Sequence, residues 1–114
     1  MPSLLIRIEP HLLTNPDLDL RYAFPDRLNK LSDGLIRDSG FDYEDGTHAM
    51  LIFLAADNLE AGVSLVIHVL ETEAIYGNRL TDAATVGTSI GEETDAAADF
   101  VVVYPVAAAG TRMG

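Results

Sequence analysis

The segment "AMLIFLAA", residues 49–56, constrains this chain more than any other. Its eight residues are all apolar, and Asp57 and Asn58 end the run at once. A membrane-crossing helix needs ~20 such residues, so the run is too short to span a bilayer. Apolar side chains at both odd and even positions leave neither face of a strand polar. That predicts a central strand, covered on both sides.

The flanking segments supply its neighbours. "SLLIRIEP" puts Leu4, Ile6 and Ile8 on one face and Leu5, Arg7 and Glu9 on the other, until Pro10 stops it. "LIRDSGFDYE" reads as a strand joined to "HAMLIFLAAD" through "EDGT", because Asp-Gly between two strand-like runs signals a hairpin. On it Phe41 and Tyr43 share one face, and Asp38, Asp42 and Glu44 take the other unless Gly40 adds a bulge. "ATVGTSI" and "DFVVVYP" are rich in β-branched residues and read as two further strands around the acidic stretch "GEETDAAAD".

Two segments read as helices. In "FPDRLNKLSDG", Phe24, Leu28 and Leu31 form an apolar stripe. There Pro25 suits the first helical position, Asp26 the first turn and Gly34 the stop. After the apolar run, Asp57 with Glu60 three residues on resembles a capping box. Leu59, Val63, Val66, Ile67 and Leu70 form the expected buried stripe, opposite Glu60, Ser64, His68 and Glu71. Between the first strand and first helix, "NPDLDLRY" alternates Leu18, Leu20 and Tyr22 with Asp17, Asp19 and Arg21. That fits a short edge strand or an irregular loop.

The order is strand, helix, strand, strand, helix, strand, strand. It predicts an α+β two-layer sandwich, with an antiparallel sheet of 4–5 strands and both helices on one face. In layout alone this resembles a ferredoxin-like βαββαβ arrangement with an extra strand. Residues 1–105 are expected to form a single α+β domain, and 106–114 a flexible C-terminal tail.

Composition narrows function mostly by exclusion. Hydrophobic residues are 48% of the 114, which argues against disorder. Without cysteine there is no disulfide, thiolate metal ligand or cysteine nucleophile. The 18 acids against 7 Lys and Arg give a net charge of −11, which repels phosphate backbones and anionic lipid. A basic protein partner, or a cation, is favoured over nucleic acid or a membrane surface. The opening "MPSLLIRIEPHLL" lacks a basic start and has charges inside its apolar run, so it does not read as a signal peptide. A cytoplasmic location is expected.

"DSGFDYEDGTH", residues 38–48, is the densest cluster of chemistry-bearing side chains. It lacks the ligand spacing of a calcium loop, and no pair of histidines sits one helical turn apart as in zinc enzymes. The hairpin reading explains it better. There is no Gly-x-Ser-x-Gly elbow, no Gly-x-Gly-x-x-Gly and no phosphate loop with a lysine. No catalytic residue, metal ligand or cofactor is assigned.

The leading functional reading is a small acidic, non-catalytic protein-binding module. In size and charge it resembles, in general character, bacterial antitoxin or immunity proteins, which cover basic nuclease-like partners. Asp17, Asp19, Asp42, Glu44 and Asp45 would steer the partner, and exposed Tyr or Leu residues would dock it. A second reading is a small-ligand or enzymatic domain using His48 or His68 with carboxylates and Arg79. A third is a homodimer built through an edge strand or a bare sheet face.

Overall fold

A computed structural model describes residues 3–13, 19–44, 49–75, 78–89, 100–104 and 110. The elements are β1 (Ser3–Ile8), α1 (Leu20–Leu31), β2 (Ile36–Tyr43), β3 (Met50–Ala56), α2 (Leu59–Thr72), β4 (Ala74–Ile75), β5 (Asn78–Arg79), β6 (Ala84–Ser89) and β7 (Val101–Tyr104). Five strands make one antiparallel sheet in the order β2-β3-β1-β6-β7. β4 and β5 form a separate two-stranded ribbon after α2.

The apolar run is the interior strand it was expected to be. All seven residues of β3 are buried, and β3 is paired with β1 on one side and β2 on the other. Pleating sends alternate side chains to opposite faces. Met50, Ile52, Leu54 and Ala56 join Leu4, Ile6 and Ile8 of β1 under the helices, against Leu20, Phe24 and Leu28 of α1 and Val66, Val69 and Leu70 of α2. Each large side chain so buried contributes about 1.5–3 kcal/mol relative to exposure. Both helices therefore cover one face.

The other face is not bare. Leu5, Leu51 and Phe53 form a second cluster with Phe100 and Val102. The Phe53 and Phe100 rings lie 5.9 Å apart, and Phe53 is only 2% exposed. A dimer through an uncovered apolar face has no such face among the described residues.

α1 differs most from expectation. It starts at Leu20, so "DLDLRY" is neither an edge strand nor a loop where it is described. Leu20, Phe24 and Leu28 recur every four residues and are buried together. That longer stripe overrides the short alternation of Leu18, Leu20 and Tyr22. The amides of Tyr22 and Ala23 both donate to the Asp19 carbonyl at 2.9 Å. Pro25 consequently lies inside the helix rather than at its first position. Having no N–H, it gives the Arg21 carbonyl no donor from one turn ahead.

The stop falls where Gly34 predicted it, with one addition. The Gly34 amide donates to the Asn29 carbonyl at 2.8 Å and the Asp33 amide to Lys30 at 3.3 Å, the Schellman pattern. Both Asp33 (φ 58°) and Gly34 (φ 83°) are left-handed. Ser32 and Asn29 then tie the turn to β2. The Ile36 amide donates to Ser32 Oγ at 2.9 Å, and Asn29 Nδ2 donates to the Ile36 carbonyl at 2.9 Å.

α2 starts one residue later than expected. Asn58, not Asp57, is its cap: Asn58 Oδ1 accepts from the Ala61 amide at 3.0 Å. Its buried stripe is Gly62, Val66, Val69 and Leu70, while Leu59, Val63 and Ile67 are half-buried. The rotation follows from Gly62. A Cβ there would stand 3.1 Å from Ala56 Cβ and 3.2 Å from Leu4 Cδ1, so a larger residue would need these neighbours to give by a few tenths of an ångström.

The bulge suspected at Ser39-Gly40 is present in β2. The register shifts between Asp38, opposite Leu54, and Gly40, opposite Phe53. Of the expected tail, only Gly110 is among the described residues, and its amide donates to the Val102 carbonyl at 2.8 Å.

Two substitutions test these backbone features. Asp33→Gly removes a Cβ from a left-handed residue and is expected to stabilise the protein by about 0.5–1 kcal/mol in urea denaturation. Asn58→Ala is expected to cost about 1 kcal/mol, clearly more than Asp57→Ala. Equal costs would mean that Asn58 is not the cap.

Candidate interaction site at the α1–β2 flank

Of the five acids expected to steer a partner, the three that are described do not form one patch. Asp17 and Asp45 lie outside the described residues. Asp19 is exposed at the entry to α1, on the helix layer. Asp42 stands opposite Leu51, so it points to the helix-free face. Its Oδ1 accepts from the Tyr43 amide at 2.8 Å.

Glu44 is engaged inside the protein. Its Oε1 and Oε2 accept from Arg7 Nη2 and Nε at 2.8 and 2.9 Å, a two-pronged pair across 37 positions of sequence. Arg7 Nη1 also donates to Glu9 Oε1 at 2.6 Å. The two carboxylates, Glu44 foremost, raise the affinity of Arg7 for its proton against the opposing effect of burial. Neutralising Glu44 would leave a half-buried guanidinium under-paired, so its charge belongs to the fold before it belongs to any partner.

Of the residues of the ligand reading, only His68 is described with its side chain. His48 is outside the described residues, and the side chain of Arg79, on β5, is not described. His68 is exposed on α2 and close enough to Glu73 to help hold that carboxyl's pKa down, after the main cause, Arg27. Arg27 Nε donates to Glu73 Oε1 at 2.8 Å and so ties α1 to the end of α2. Among the described residues, no three His, Asp or Glu side chains gather as a metal site would require. No helix among them is long and apolar enough to cross a membrane.

What the fold does assemble is a flank between α1 and β2. Arg21 of α1 places Cζ 4.6 Å from the Tyr22 ring centroid and 5.2 Å from that of Phe41 on β2. The Phe41 and Tyr43 rings meet edge-on at 4.9 Å, a favoured geometry for aromatic pairs. Tyr22 is 59% exposed and Tyr43 39%. Beside them, a cleft of about 230 Å³ is lined by Tyr22, Pro25, Asp26, Asn29, Arg37 and Asp38. Asp26 pairs with Lys30 at 3.0 Å, one helical turn on. Arg37 pairs with Asp57 at 3.2 Å. Asp38 Oδ1 accepts from the Gly40 amide at 3.1 Å, within the bulge.

Part of this flank was visible in the sequence. The shared face of Phe41 and Tyr43 was read correctly: they stand opposite Ile52 and Met50, under the helix layer. Tyr22 and Arg21 were missed because their segment reads as alternating. Asp38 was grouped with Asp42, and the bulge puts it on the other face, opposite Leu54. The qualification attached to Gly40 was the signal for that outcome.

No protein-family model matches the chain, no curated protein matches its sequence, and no solved structure matches its fold.

Glu44→Gln is expected to lower stability by about 1–2 kcal/mol, measured by urea denaturation at neutral pH. In an Arg7→Met background the same change should cost markedly less, because the pair is already broken. Equal costs in both backgrounds would show that the two side chains do not act together.

Proposed function

We propose that this chain is a small acidic protein-binding module, of the immunity or antitoxin type in general character, that covers a basic partner through its α1–β2 flank. The observation that carries the reading is the pair of exposed tyrosines, Tyr22 and Tyr43, joined through Arg21 and Phe41 into one contiguous surface. Tyrosine offers a large, stiff contact area with a polar tip and is enriched at the energetic centre of interfaces. Asp38 on β2 and Asp26 on α1 border that surface. With the net charge of −11 they favour a cationic partner and a fast, salt-sensitive approach. The sheet order β2-β3-β1-β6, with β7 as the added strand, supports the ferredoxin-like reading of the layout. A fold of that kind specifies no function of its own, so the proposal rests on the flank.

The test compares tagged protein with a Tyr22→Ala/Tyr43→Ala variant, each incubated in lysate of the source at low salt and eluted by a salt step. The expected result is a basic protein retained stoichiometrically by the parent and weakened at least tenfold by the variant, roughly 1.4 kcal/mol or more. A retained set that is the same for both would place any partner elsewhere. A retained set with no basic protein would remove the charge argument.

A further inference from the structure

We propose that the cleft between the end of α1 and the start of α2 is a binding site for a small, neutral, apolar molecule. The cleft holds about 140 Å³. Leu35 and Ile36 line it from the β2 side, and Ala61, Gly62 and Leu65 line it from α2. An apolar cavity of about 150 Å³ is enough to take up benzene, so the space suits one six-membered ring or a branched chain of like size.

The two polar residues of the lining, Ser32 and Asn58, are already engaged. The Ser32 hydroxyl donates to the Asn29 carbonyl at 3.2 Å and accepts from the Ile36 amide at 2.9 Å. Asn58 Oδ1 accepts from the Ala61 amide at 3.0 Å. A held water needs about two to four polar partners, so the cleft suits hydrocarbon better than water. None of the described lining residues is ionisable, so an ionic ligand finds no counter-charge there. The net charge of −11 repels anions from the whole molecule and draws cations to its acids, none of which is among these residues.

Hydrogen bonds fix the walls before any ligand arrives. The Asp57 amide donates to the Leu35 carbonyl at 3.4 Å, and the Gly62 amide to the Asn58 carbonyl at 2.9 Å. Asn29 Nδ2 holds the Ile36 carbonyl at 2.9 Å. A site so held loses little freedom on binding. Gly62 places no side chain between α2 and Ile36, where a Cβ would lie 4.0 Å from Ile36 Cδ1. Leu35 is 52% exposed, so an occupant would remove apolar surface of Leu35 from water. The cleft shares no lining residue with the one beside Tyr22, so the site stands or falls separately from the partner reading.

The experiment follows the methyl signals of Leu35, Ile36 and Leu65 by NMR as benzene is added. Benzoate and glycerol are the comparison probes, and the exposed Leu12 is the control position. The expected result is a saturable shift with benzene at the three cleft residues and none at Leu12. Benzoate should bind at least threefold more weakly, and glycerol should produce no saturable shift. Ala61 is exposed, so Ala61→Leu adds bulk at the cleft and leaves the core alone. It should weaken benzene at least fivefold, and Leu35→Ser, which strips one wall, at least threefold. A drift that never saturates and is equal at Leu12 would overturn the proposal, as would unchanged affinity in both variants. Benzoate binding as tightly as benzene would overturn the neutral ligand class. Cleft signals that move with protein concentration, with no probe added, would assign the cleft to a second copy of the chain and overturn the small-molecule site.

Discussion

The structure depends on burying both faces of β3. A strand with no polar side can exist in water only if something covers each face, and its backbone needs a strand on either edge. The chain meets the edge demand with β1 and β2. It meets one face with α1 and α2, and the other with a cluster around Phe53 and Phe100. Gly62 shows how close the packing is, since a Cβ there would stand only 3.1 Å from Ala56 Cβ and 3.2 Å from Leu4 Cδ1. Polar ties then fix the edges of this core: Arg7 with Glu44 from β1 to the end of β2, and Arg27 with Glu73 from α1 to the end of α2.

The same constraint shapes the surface. Because β3 and β1 occupy the interior, β2 is left as an edge strand, and an edge must avoid pairing with other chains. The bulge at Ser39 and the charges of Arg37, Asp38 and Asp42 serve that purpose. By shifting the register the bulge also separates Asp38 from Asp42. With α1 lying against β2, the result is a flank where aromatic rings, acids and Arg21 meet.

Several features were legible before any coordinates. The run 49–56 announced an interior strand, the alternation in residues 4–8 announced its neighbour, and Gly34 announced the end of α1. Others were displaced by one competing signal each. The cap of α2 moved from Asp57 to Asn58, because the side-chain oxygen must reach the Ala61 amide and only residue 58 is placed to do so. The start of α1 moved back to Leu20, because a four-residue repeat that reaches the core outweighs a three-step alternation at the surface.

The sequence by itself determined the class of fold and the sign of the charge. Both follow from sums and periods along the chain: an uninterrupted apolar run, alternations of two, stripes of three and four, and an excess of acids. Only the tertiary structure decided which acids face solvent and which are held by the protein's own arginines. Glu44 and Arg7 are 37 positions apart, and Arg21 and Phe41 also come from different elements. Such pairings arise from strand register and helix placement, which a one-residue bulge or a close-packed glycine can change without altering the pattern that specified the elements.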